Sequence, residues 1–313
     1  MAQSPRIEPD PGFRTSFAEQ ISKNKLKSYA LAIVVFIVLI FLVLVFAAIW
    51  APKAAGIVVL FGLFFVGIYM TASYYYGDEI VLASTNAKPI DVRTPKGAFV
   101  DNLVEGLCIA ARIPKPKIYV IESTEMNAFA TGRDPEHSSI AYTTAILEKL
   151  DRTELEGVTA HELSHVANYD VRFGLLVAVM VGLVAILSDI ILRSYWYGGG
   201  RRSGGGDRKG GVAILVIVGF VLAIFAPIIV RFVQAAISRK RELLADSSGA
   251  RLTRYPEGLA SALEKLAGNN KGNMQVNEAV SHLFFVDPTK SALDSLFATH
   301  PPLEARIKLL RAM

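Results

Sequence analysis

Apolar and polar positions fall in long blocks along this chain. Residues 1–27 are polar, and Tyr29 to Trp50 is then almost unbroken Ile, Leu, Val, Phe and Ala. A second apolar run, Ala55 to Tyr75, follows the short connection Ala51 to Ala54. Phe173 to Leu192 and Val212 to Val230 are the third and fourth. Each run is long enough to cross a bilayer core about 30 Å thick as a helix. Trp50 and Tyr74-Tyr75-Tyr76 stand at run ends, where aromatic side chains favour the headgroup layer. Asp189 lies near the end of the third run, toward the interface. Buried core helices are the alternative reading of these runs. The first run is too long for the apolar stretch of a cleaved signal peptide.

Between the second and third runs the pattern changes. Phe99, Leu103, Leu107 and Ala110 are spaced for one helix face, which predicts a helix over Lys96 to Ile113 stopped by Pro114. Lys117 to Ile121 predicts a strand. Asn127 to Thr131 and Ser139 to Thr143 predict two more, joined by a polar turn through Gly132-Arg133-Asp134-Pro135. Leu150-Asp151-Arg152-Thr153 marks a helix start, with Thr153 and Glu156 spaced as a capping box. That helix runs almost directly into the third apolar run. After the fourth, Pro256 to Leu266 predicts a helix ended by Gly268-Asn269, and a last helix follows Pro301-Pro302.

Composition agrees with a membrane protein. At 52% hydrophobic residues in 313, the chain is too apolar for an ordinary soluble domain. Its net charge of +5 is spread through juxtamembrane and domain segments rather than gathered into a stripe. That excludes a nucleic-acid footprint and suits anionic headgroups of the lipid bilayer. Lys23, Lys25 and Lys27 precede the first run, so the positive-inside rule places residues 1–27 in the cytoplasm. Tyr197 to Gly211 is a Gly-rich linker carrying Arg201, Arg202, Arg208 and Lys209. A hairpin of runs three and four puts it outside, against the sense of its charge. Cys108 is the single cysteine and sits in an apolar helical pattern, so it reads as a packed core residue.

The candidate chemistry lies in His161-Glu162-Leu163-Ser164-His165, an HExxH motif on the helix that begins near Asp151. Residues four apart share a helix face, so the two imidazoles can grip one metal ion. Glu162 is then held beside the metal without ligating it, where a carboxylate can take a proton from an activated water. A chance pair of surface histidines beside a glutamate is the alternative. His137 and His282 lack partners at ligand spacing.

A third ligand is offered after the fourth run, in Ser238-Arg239-Lys240-Arg241-Glu242-Leu243-Leu244-Ala245-Asp246. Glu242 and Asp246 share a helix face. The first can complete a His-His-Glu set, and the second can accept the spare N–H of a ligand histidine, His161 before His165. Alone, the two acids would read as a solvated helix face. Two crossings between HExxH and Glu242 return the chain to the same side, which favours the metal reading.

Four stretches together resemble the HtpX-type membrane zinc metalloproteases, relatives of the CAAX prenyl proteases. They are Met126 to Gly132, His161 to Asp170, Ser238 to Asp246 and Phe297 to Ile307. The resemblance implies an α-helical membrane protein with four transmembrane helices and an α+β zincin-like (gluzincin) catalytic domain. It implies one zinc per chain, held by His161, His165 and Glu242, with Glu162 as general base. It gives His300 a catalytic role in stabilising the oxyanion, a cap on the last helix being the alternative. Asn127, Ala128 and Phe129 would border the cleft and bind substrate by strand addition; for Asn127 a strand end at a turn is the alternative. Asp170 either anchors the HExxH helix or is a charge at the interface.

The expected organisation is a cytoplasmic segment 1–27, a hairpin 28–76, half of the catalytic domain 77–172, a second hairpin 173–233 and the other half 234–313. The expected function is zinc-dependent endoproteolysis of polypeptide and membrane-protein substrates, in stress-response quality control at the inner membrane. A CAAX-type prenyl-protein protease and a non-catalytic zinc-binding scaffold are the alternatives.

Overall fold

The computed structural model describes residues 17–50, 52–179, 239–270, 272, 274, 276–286, 288 and 301–313. Most of the third apolar run, the whole of the fourth, the Gly/Arg-rich linker and His300 lie outside these residues.

Helix α1 spans Phe17–Trp50 and α2 spans Ala55–Ser84, joined by the 3-10 turn Pro52–Ala54. They form an antiparallel hairpin in which Leu39 and Val66 are buried, with Val43, Tyr69 and Met70 packed around them. Among the described residues of α2, Leu60, Phe61, Phe64 and Phe65 are exposed. Among the described residues α2 has the length and apolarity of a membrane span. It continues past Tyr75, where the second apolar run ends, to Ser84. The added turns bury Gly77, Val81 and Leu82 against the domain that follows.

That domain is α+β. Its four-stranded sheet has the order β1 (Lys88–Pro89), β2 (Lys117–Ile121), β4 (His137–Thr143), β3 (Ala128–Asp134). The β2–β4 pair is parallel and the other two pairs are antiparallel, so β3 is an edge strand. The β3–β4 turn is shorter than expected. Gly132, Arg133 and Asp134 belong to β3, with a register irregularity there, and Pro135-Glu136 makes the reversal.

Helix α3 (Pro95–Ala111) starts at Thr94, whose hydroxyl accepts from the Gly97 N–H, and ends at Arg112 in the left-handed region. Helix α4 (Thr144–Lys149) is one short turn before α5 (Arg152–Ala167). The box that starts α5 is set two residues earlier than expected. Asp151 accepts from the Glu154 N–H at 3.0 Å, and Glu154 accepts from the Asp151 N–H at 2.8 Å. Thr153 and Glu156 are taken elsewhere, by Asp151 and Arg152.

A helix over 170–179, α6, follows after one turn. The remaining helices are α7 (Arg239–Thr253), α8 (Pro256–Asn269), α9 (Glu278–Ser281) and α10 (Leu303–Leu310). The main core lies between the sheet and α3, α5 and α8, with Val104, Ile140, Ile146, Val158, Leu163, Leu259 and Leu263 at its centre. Cys108 belongs to it, and burial pushes its thiol up to about 11. A second core joins the end of α2, β3, α6 and the segment around Phe284 through Leu82, Phe129, Phe173 and Phe284. It fixes the sheet edge relative to the helices that lead to the apolar runs.

Candidate metal centre

Helix α5 carries His161, Glu162 and His165, and α7 carries Glu242. The two helices cross closely because Gly249 faces α5: a Cβ there would lie 3.0 Å from the His161 nitrogen. One turn earlier on α5, Gly157 lets α8 approach, where a Cβ would meet the Leu259 nitrogen at 2.7 Å. The HExxH helix is thus held against both α7 and α8 by two positions without side chains.

The ligand-type atoms of His161, His165 and Glu242 lie within 4.8 Å of one another. The two Nε2 atoms are 3.2 Å apart. Glu242 Oε2 is 3.7 Å from His161 Nε2, and Oε1 is 3.5 Å from His165 Nε2. A tetrahedron with zinc–nitrogen bonds of 2.0–2.1 Å has edges of about 3.3–3.4 Å.

The opposite ring nitrogens explain why the Nε2 atoms face inward. His161 Nδ1 donates to Asp246 Oδ1 at 2.9 Å, and His165 Nδ1 donates to Asp170 Oδ2 at 3.1 Å. With both ring protons on Nδ1, two lone pairs and a carboxylate converge on one point. Such an acceptor-only set needs a cation, so the residues fit a zinc ion in chemistry as well as spacing.

The electrostatics carry the same signature. Burial opposes charge on His165, but the hydrogen bond to Asp170 and the nearby Glu242 outweigh it and raise its pKa to about 9. A proton thereby substitutes for part of the cation when metal is absent. Burial lowers His161 to about 4 even though Asp246 pulls the other way. Asp246 is held down at about 2: burial alone would raise it, and the Arg306 guanidinium overcomes that.

Glu162 points toward the edge strand, where its Oε2 accepts the Ala130 N–H at 2.9 Å. The cleft in front is walled by Val171, Phe173, Leu283, Phe284 and Phe285, with Arg241 stacked on Phe173 at 4.6 Å.

The strand residues expected to meet substrate are placed differently. Asn127, Ala128 and Phe129 are all buried. Asn127 donates from Nδ2 to the Val286 carbonyl at 2.7 Å, and its Oδ1 accepts from the Val286 N–H at 3.1 Å. The Ala128 carbonyl accepts from the Phe285 N–H at 2.8 Å. Phe129 packs edge-on against Phe284, with ring centres 4.9 Å apart. The segment 285–286 therefore lies along this part of the β3 edge. His282 donates from Nε2 to the Gly174 carbonyl at 3.1 Å and lines the same cleft without joining the ligand trio, and His137 sits by Asp134.

Two groups were outside the sequence reading or only half inside it. Arg306 lies in the Phe297 to Ile307 stretch, but no spacing marks its role: it is fully shielded and binds Asp246 from sixty residues away. Asp170, five residues past His165, carried a weak one as a charge next to the motif.

The chain is similar to known proteins over most of its length. The sequence pattern described as "Peptidase family M48" matches residues 96–313. A "Protease HtpX homolog" of Thermoanaerobacter pseudethanolicus is 41% identical over 301 residues, spanning 96% of this chain and 99% of that one. A "Protease HtpX homolog" of Dictyoglomus thermophilum is 43% identical over 300 residues, spanning 95% of each. Among solved structures, the S. mikatae Ste24p crystal structure matches at 22% identity and a TM-score of 0.49, over 94% of this chain and 67% of that one. This chain belongs to peptidase family M48.

Proposed function

We propose that the protein is a membrane-bound zinc endopeptidase. Its zinc ion, one per chain, would be held by His161 Nε2, His165 Nε2 and the Glu242 carboxylate. The observation that carries this reading is the inward convergence of the two Nε2 lone pairs on Glu242, enforced by carboxylates behind both rings.

When bound, zinc supplies a Lewis acid that lowers the pKa of a water to about 7 and polarises a peptide carbonyl. Glu162 accepts the proton of the attacking water and delivers it to the leaving amine. The Ala130 N–H holds Glu162 Oε2 and so keeps the carboxylate beside the reacting centre for both transfers. Asp246 and Asp170 keep the two histidines in one tautomer throughout. His300 would be the donor to the developing oxyanion.

The substrates we assign are unfolded or misassembled segments of membrane proteins. The apolar wall of Val171, Phe173, Leu283 and Phe284 supports this, as does its place beside α6, which leads into the third apolar run. The catalytic domain would face the cytoplasm, with four spans. Lys23, Lys25 and Lys27 ahead of the first run support that orientation.

The test is digestion of a detergent-solubilised membrane substrate by the purified full chain, with and without chelator. Cleavage that stops with chelator and returns with zinc is the expected result. Cleavage indifferent to chelator would end the zinc reading.

A further inference from the structure

Helix α1 begins with polar turns, and these turns do not stand free in solvent. Asn24 is buried and donates two hydrogen bonds from Nδ2. One goes to the Asn168 carbonyl at 3.1 Å and the other to Asp170 Oδ1 at 2.8 Å. Asn168 is the residue that closes α5, and Tyr169 after it is left-handed, with φ 61°. One side chain therefore pins both the end of the HExxH helix and the carboxylate that follows it. The neighbours on α1 grip the same turn. The Lys25 ammonium lies 4.1 Å from the centre of the Tyr169 ring, and Arg172 reaches the Tyr29 hydroxyl at 3.5 Å. Ser28, also buried, donates to the Asn24 carbonyl at 2.9 Å.

Asp170 uses its other oxygen, Oδ2, for His165 Nδ1. A continuous hydrogen-bonded path thus runs from Asn24 through Asp170 to His165. We infer that α1 is part of the metal site: Asn24 is a positioning residue that orients Asp170 and, through it, holds His165 in the ligating tautomer. The physical reason is directional. A carboxylate held tightly at one oxygen can swing about its Cβ–Cγ bond, and at Oδ1 the Asn24 donor at 2.8 Å limits that freedom more closely than Arg241, whose Nη1 is 3.6 Å away. The helix that enters the first apolar run is then coupled to metal retention, not only to anchoring.

The inference rests on the zinc-site reading above. The full-length protein, loaded with one zinc in detergent, is mixed with a chromogenic chelator at fixed pH, and the rate of zinc loss is followed. Asn24→Ala should speed zinc loss about 10-fold, the lower end of the range for groups behind a ligand. Asn24→Ser, which keeps a small polar group too short to reach Asp170, should do the same and serves where the alanine variant folds poorly. Lys25→Ala removes a contact of α1 with the same turn but not the path to His165, and should lose zinc at close to the parental rate. Parental zinc loss in both Asn24 variants overturns the inference. Equally fast loss in Lys25→Ala also overturns it, because docking of α1 in general would then be the cause. If Asp170→Ala and His165→Ala retain zinc as well, the zinc-site reading falls with it, which separates the two failures.

Discussion

Arg306 donates to both oxygens of Asp246, from Nη2 at 2.7 Å and Nε at 2.8 Å, and both side chains are shielded from solvent. Asp246 also holds His161, so the C-terminal helix α10 is tied to the metal centre by one carboxylate. Asp246→Ala should have two effects. It removes the acceptor behind His161, which should weaken zinc retention about 10–100-fold. It also leaves a guanidinium buried without its partner, at a cost of about 3–5 kcal/mol. The double variant Asp246→Ala with Arg306→Met removes the stranded charge. Thermal melts should recover in the double variant, while chelator competition should stay as poor as in the single one.

The close crossing of α5 and α7 makes a second prediction. A methyl group at Gly249 would sit 3.0 Å from the His161 nitrogen and 3.2 Å from the Ala160 carbonyl carbon. These are backbone atoms of a helix and cannot rotate away. Gly249→Ala should therefore push Glu242 outward, with an overpacking cost of about 1–3 kcal/mol. Lower melting temperature together with faster zinc loss is the expected pair of results. Gly268, with nothing near its Cβ position, is the control, and Gly268→Ala should change neither.

The sequence carried the site better than its support, and the reasons are physical. His161 and His165 are joined by helical periodicity, and Glu242 by the same periodicity plus the count of apolar runs between. The helix start was degenerate, because Asp151 and Thr153 are both capping residues with a glutamate three positions on. Asp151 is the cap because α4 ends at Lys149 and α5 starts at Arg152, with only Leu150 and Asp151 between the helices. The contacts of Phe285 and Val286 with Ala128 and Asn127 carry no sequence signal, because they come from a segment with no strand pattern of its own. Arg306 meets Asp246, and Asn24 meets Asp170, only through the tertiary fold, and no spacing rule links residues so far apart. The length of α2 past Tyr75 was hidden by Asp78 and Glu79, which read as a return to solvent although the helix continues through them.

Glu162→Gln separates chemistry from binding. The amide oxygen can still accept the Ala130 N–H, so the side chain keeps its place. The ligand trio is untouched. Zinc should stay near one per chain while kcat falls about 10²–10⁴-fold, the range for loss of a general base. Cleavage of a quenched peptide and metal analysis on the same preparation give both readings. A variant that cuts at the parental rate would remove Glu162 from the mechanism.

Asn127 decides between substrate binding and architecture. Its side chain exchanges two hydrogen bonds with Val286 and accepts a third from the Ala128 N–H at 3.1 Å. Asn127→Ala leaves half-buried backbone groups of Val286 without these partners, each costing up to about 1–3 kcal/mol. The variant should melt earlier and leave KM close to the parental value at a temperature where it is folded. A rise in KM without a change in melting temperature would restore the direct substrate role.

Removal of the metal makes the last prediction. With both Nδ1 protons committed to carboxylates, the trio of Nε2, Nε2 and carboxylate is an acceptor set that repels itself when no cation is present. Zinc bound only to the folded state stabilises it by RT ln(1 + [L]/Kd), about 2.7 kcal/mol at a hundredfold excess over Kd. Chelator should therefore lower the melting temperature, and zinc should restore it. The raised pKa of His165, about 9, gives the metal-free protein a proton in partial compensation, so the domain should stay folded at neutral pH rather than collapse outright. Glu162→Gln should show the same chelator-induced drop as the parent, because Glu162 is no ligand. His165→Ala should melt at one temperature with or without chelator. If His165→Ala still shows the full drop, the stabilising ion sits elsewhere and the trio is not the metal centre.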